Sequence, residues 1–215
     1  DAVFCNCFYV FENEILPKII YTENTIEDGK SMLKRFLIRF GTRSELWGKI
    51  FRRKYLTHRL KENVKIGEDF LYLIELYYTY DCRTAIVTDY LYYYRQLDSS
   101  AMNNSNLVFH NKQLLMECLQ FIRQHPDIEA EYPHEKAIFV IRLVSAVIKR
   151  DFSNQIKDAF LMKLLKENYA NAAPALLRSE RRLLRALFIH PLLGRLALKV
   201  ELFIRKYIFK ERKLE

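Results

Sequence analysis

The chain has 215 residues, half of them hydrophobic and only five each Gly and Pro, enough to bury one good core or two small ones. That composition excludes a disordered or collagen-like chain, and no uncharged run approaches the roughly 20 residues of a membrane span. A formal charge of +9, with 14 Tyr and 15 Phe against one Trp, suits packed aromatic cores and an anionic partner: nucleic acid, a membrane surface or a phosphorylated substrate.

Taken in order, Asp1 to Phe11 is apolar, aromatic and β-branched, which predicts a buried strand. Asn13 and Pro17 break it, and Lys18 to Tyr21 reads as a second short strand. Thr25 with Glu27 and Asp28 has the form of a helix start, a hydroxyl cap followed by acids in the first turn. Met32, Leu33, Phe36, Leu37 and Phe40 keep helical spacing up to Gly41. Residues 46–56 read as short helical turns, and Gly67-Glu68-Asp69 opens the next helix, with Phe70, Leu71, Ile74 and Tyr77 or Tyr78 on its buried side. Thr84 to Val87 and Tyr90 to Arg95 read as two strands, and residues 96–106 as a polar loop.

After that loop the strand signals end. Helices are expected over 107–124, 135–150, 154–169, 179–189 and 192–212, with Pro126, Pro133, Pro174 and Pro191 between them. The fold class is therefore α+β and mostly α, with a mixed segment over 1–103 and a helical one over 104–215. Cys5, Cys7, Cys82 and Cys118 lack zinc-ligand spacing, and no signal peptide is visible. Buried free thiols in a reducing cytoplasm are the expected state.

Three pieces carry candidate chemistry. Glu68 and Asp69 in a helix's first turn meet its positive end, which alone is worth some 0.3–1 kcal/mol. The same position holds a carboxylate rigidly and points it out of the fold, as a base acting on an acceptor hydroxyl requires. Arg95 closes a tyrosine-rich strand and Ser100 follows five residues on. They are ordinary surface and loop residues, or a planar fork and a hydroxyl for a departing diphosphate. Trp47 and Lys49 flank Gly48. A lone Trp beside Gly is more often core than a sugar platform, and Lys49 alone reads as a surface charge.

The order and spacing of these pieces, Trp47-Gly48-Lys49-Ile50-Phe51-Arg52-Arg53, then Glu68-Asp69, then Tyr92-Tyr93-Tyr94-Arg95 with Ser100, resemble the acceptor-side half of bacterial family-2 (GT-A) glycosyltransferases. The resemblance covers residues 1 to about 103. It implies a remnant of a Rossmann-like GT-A domain followed by a helical C-terminal region. It implies inverting transfer from a nucleotide-sugar to a saccharide or lipid-linked acceptor in surface polysaccharide synthesis. Asp69 would be the base and Glu68 its support. Trp47 would line the acceptor pocket, while Lys49, Arg95 and Ser100 would lie near phosphate.

Two departures go with it. Many relatives place a further basic residue or His after the strand, where this chain has Gln96-Leu97-Asp98. An Asp-x-Asp motif for Mn²⁺ or Mg²⁺ is also absent. The chain starts at Asp1 directly in a strand, so the expectation is a fragment lacking the donor-binding half. It would hold no cofactor and no catalytic metal, and would turn nothing over alone. An open sheet could also leave an apolar face exposed and favour self-association.

From Arg178 onward eleven Lys and Arg stand against four Glu, a net of +7. Leu183, Leu184, Leu187 and Phe188, then Leu196, Val200, Phe203, Ile204, Tyr207 and Ile208, recur at helical spacing. The segment 178–213 reads either as a tail packed on earlier helices or as one lying on an anionic membrane at the inner face. Nucleic acid is disfavoured, because the aromatics are not interleaved with the basic face. The reading from another class is a non-enzymatic helical interaction or membrane-peripheral module, in which Glu68, Asp69 and Arg95 are only surface charges.

Overall fold

The computed structural model describes residues 1–38, 43–57, 59–96 and 107–200. The chain is α+β and mostly helical, with a curled mixed sheet. β1 (Ala2–Val10) runs parallel to β5 (Thr84–Arg95). On its other edge β1 pairs antiparallel with β4 (Lys49–Phe51) through its first half and with β2 (Ile15–Lys18) through its second. β3 (Thr25–Glu27) pairs antiparallel with the start of β5. Among the described residues all strands precede residue 96, as the sequence predicts.

The parallel pair is irregular. The two strands that the sequence suggests for 84–87 and 90–95 are one, because β5 bulges against β1 between the pairs Phe4↔Ile86 and Cys7↔Tyr92. Thr88 lies in the bulge, and two asparagine side chains replace its ladder partners. Its N–H donates to Asn24 Oδ1 at 2.8 Å, and its carbonyl accepts from Asn6 Nδ2 at 2.8 Å. Asn6 is fully buried and also accepts from the N–H groups of Ile20 and Tyr21 while donating to the Tyr21 carbonyl. A buried amide with its donors and acceptor used in this way stabilises the bulge rather than costing desolvation.

α1 (Gly29–Ile38) begins later than the Thr25 cap suggests, since Thr25–Glu27 pairs into the sheet as β3. Asp28 caps the helix instead, accepting from Ser31 N at 2.7 Å, a bond that holds its carboxyl below the usual range. α2 (Glu68–Thr79) buries Phe70, Leu71, Leu73, Ile74, Leu76 and Tyr77. Phe4 of β1, Phe36 of α1 and Tyr77 of α2 meet ring to ring, and Tyr77 also shares a 2.6 Å hydrogen bond with Thr84. Near the start of β1 the other sheet face carries a row of cross-strand neighbours, Ile50, Val3, Ala85 and Ile26. Ile50 and Ile26 in that row are 73% and 69% exposed.

α3 (Leu107–Gln124), α4 (Pro126–Glu131) and α5 (Pro133–Arg150) follow, then α6 (Phe152–Gln155), α7 (Ala159–Ala172) and α8 (Arg178–Ile189). Residues 191–200 are helical too. Pro126, Pro133 and Pro191 each open a helix, where the missing N–H has no partner to lose; Pro174 lies in the turn after α7. The single helix expected over 154–169 is divided, because the Asp158 side chain caps a new helix by accepting from Phe160 N and Leu161 N. The chain forms two compact units, Asp1–Phe139 and Val140–Glu215, with the division inside α5. Leu161, Leu165, Leu183, Leu184 and Leu187 are core residues of the second unit.

Candidate functional site

The site lies in the first unit, where the segment before β4 packs against the tyrosine-rich end of β5 and the start of α2. Strand alternation sets Tyr92 and Tyr94 on one face. Trp47 stacks on both, with ring centroids 5.3 and 4.5 Å apart and planes within 14° and 13° of parallel. Arg43 lies over the same indole at 4.8 Å, donates to the Tyr9 hydroxyl and forms an ion pair with Glu45. Burial works against the Glu45 carboxylate, but the hydrogen bonds and charge of Arg43 outweigh it and hold Glu45 below the usual range.

Gly48 has φ 71°, the left-handed conformation that reverses the chain between Trp47 and β4. Its carbonyl accepts from Cys5 N at 3.2 Å and so joins the turn to β1. Lys49 then pairs with Phe4, folds back to donate to the Glu45 carbonyl, and places Nζ 4.9 Å from the Phe4 ring centre. Burial lowers the Lys49 ammonium to about 8, against the pull of Glu45 and, more weakly, of Asp69.

Glu68 and Asp69 are the first two residues of α2, as the sequence predicts. Gly67 caps that helix with φ 82°, and no side-chain cap bond is present. A Cβ at 67 would come within 2.4 Å of Leu114 Cδ2, so the conformation favours glycine and any side chain there would push Leu114 aside. Asp69 Oδ2 accepts from Leu46 N at 3.0 Å. That bond fastens the Trp47 segment to the start of α2 and sets the direction of the carboxylate.

The structure thus brings Trp47, Lys49 and Asp69 together. Arg95 is exposed and projects from β5 on the face opposite Tyr92 and Tyr94. Ser100 lies outside the described residues, as do Phe40, Gly41 and most of the 96–106 loop. Comparison with family models, curated proteins and solved structures finds no match to this chain.

Arg43, Glu45, Tyr92 and Tyr94 complete the site and were not singled out by role from the sequence. The alternation within Tyr90–Arg95 shows which tyrosines share a face. It gives no sign that Arg43 and Trp47 cover that face, since the contact joins segments about fifty residues apart. Among the described residues no three His, Cys, Asp or Glu side chains gather as a metal-holding group.

Proposed function

We propose that this site is the acceptor side of an inverting glycosyltransferase resembling family 2 of the GT-A type. The observation that carries the reading is the Asp69 carboxylate, fixed at a helix start and hydrogen-bonded to the backbone beside Trp47. A base in sugar transfer must be held rigidly, and the start of α2 together with the Leu46 N–H bond supports that role for Asp69. With Oδ2 held by Leu46 N, Oδ1 is the atom that would take the acceptor's proton. The acceptor oxygen would attack the anomeric carbon as the bond to the nucleotide diphosphate breaks, that group leaving with the electron pair. Lys49, still mostly protonated at neutral pH, would add positive charge nearby. Donor nucleotide and Mn²⁺ or Mg²⁺ would be held outside this chain, so the chain alone would transfer nothing.

A second reading, a non-enzymatic interaction module, is favoured by the packing of Trp47 against Tyr92, Tyr94 and Arg43 and by the placement of Arg95 on the other face. Saturation-transfer NMR of the chain with a panel of saccharides separates the two. The transferase reading expects one sugar class to bind. Asp69→Ala would weaken that binding at least tenfold, the scale of a hydrogen bond to a charged group. A panel with no binder, or binding indifferent to residue 69, would leave the second reading standing.

A further inference from the structure

Within the second unit, helix 191–200 carries two apolar faces where a surface helix needs one. The first closes the core. Leu198 is buried, and Gly194 lies so near α8 that a Cβ there would reach within 3.0 Å of the Leu187 Cα. The second faces water. Leu192, Leu196 and Val200, at four-residue spacing, are 66%, 60% and 50% exposed, and Leu193 beside them is 45% exposed. Arg195 and Lys199 are exposed as well, and the helical period sets them along the Leu192 edge of the stripe.

Four large aliphatic side chains in one exposed stripe mark an interface. The surrounding charge identifies its partner. Residues 178–200 contain six Arg and Lys against one acid, Glu180, and that acid is already paired with Arg142 at 3.3 Å. A second copy meeting the same stripe would gather these cations against their own kind. Nucleic acid would satisfy the cations but offers no apolar layer for the leucines. An anionic bilayer offers both in the right order, with hydrocarbon below and phosphate at the level a lysine or arginine reaches.

We propose that the stripe of Leu192, Leu193, Leu196 and Val200, edged by Arg195 and Lys199, docks this protein flat on an anionic lipid surface. α8 contributes exposed cations but not its leucines, since Leu183, Leu184 and Leu187 are buried. The contact is peripheral: among the described residues no helix is long and apolar enough to cross a membrane.

Co-sedimentation of the full chain with vesicles tests this. Phosphatidylcholine vesicles with about a third phosphatidylglycerol are expected to bind it at least tenfold better than phosphatidylcholine alone, and the difference should shrink as salt rises. Arg195→Ser and Lys199→Ser should each weaken partition about fivefold, equivalent to ~1 kcal/mol. Leu192→Asp with Leu196→Asp, at exposed positions, should abolish binding while the thermal unfolding transition is kept. Equal binding to neutral vesicles overturns the proposal. So does binding unchanged by the two aspartates, or a doubly substituted chain altered only in its oligomeric state.

Discussion

Asn6 shows how much one polar residue holds in this fold. Its amide serves four backbone groups, those of Ile20, Tyr21 (twice) and Thr88. Asn6→Leu removes that partner from all of them, so the expected loss is about 3 kcal/mol or more, read from the denaturation midpoint. A loss below about 1 kcal/mol would mean that other groups or water take over. Lys49 gives a pH signature of opposite character. Its ammonium is disfavoured by burial, so between pH 8 and its ordinary 10.5 the folded chain binds fewer protons than the unfolded one, and stability rises with pH in that window. Cys5, Cys7, Cys82 and Tyr77 are pushed up by burial and act the other way above about pH 9. The comparison to make is therefore with Lys49→Met. Relative to that variant, the protein should gain about 2 kcal/mol from pH 8 to pH 10. Neither role is legible in the sequence, where Asn6 is a polar residue in an apolar strand and Lys49 one of four cations within residues 46–56.

At the scale of elements, periodicity carried well where an apolar face and a cap agree. α2 and α3 begin where the sequence sets them, since Gly67 stops the chain before α2 and a polar run precedes α3. The sheet was harder to read. Thr88-Asp89 looks like a break between two strands because its backbone is served by Asn6 and Asn24, from segments remote in sequence. Residues 46–56 looked helical but fold as the Gly48 turn, β4 and a 3-10 turn at Arg53–Tyr55, because β1 offers a free edge that local propensity cannot see. The left-handed Gly48 and Gly67 give a graded test. Gly48→Ala meets only ordinary contacts at 3.9 Å, so it should cost the conformational term alone, about 1 kcal/mol. Gly67→Ala adds a collision with Leu114 and should cost at least twice as much. Equal losses in thermal denaturation would show that Leu114 gives way freely.

For the whole molecule, the two compact units divide the properties that the sequence ran together. The candidate site belongs to Asp1–Phe139, and the cations of α8 and helix 191–200 belong to Val140–Glu215. Composition makes that asymmetry of charge legible, but not which leucines of the second unit are core and which are exposed, because both sets keep the same period. The apolar row Ile50, Val3, Ala85 and Ile26 bears on the expected self-association. Ile26→Thr with Ile50→Thr should reduce concentration-dependent association in sedimentation velocity, and an unchanged distribution would remove the row from consideration.

The site reading rests on Asp69 and its neighbours serving a sugar acceptor, and Trp47, the only tryptophan, reports on it directly. The measurement is the emission of Trp47 as the chain is titrated with saccharides. The reading expects a saturable change in emission with one sugar class, lost in Asp69→Asn, whose amide oxygen still accepts from Leu46 N and so keeps the unliganded spectrum. Emission indifferent to every saccharide would contradict it and leave the stacked Trp47, Tyr92 and Tyr94 as packing alone.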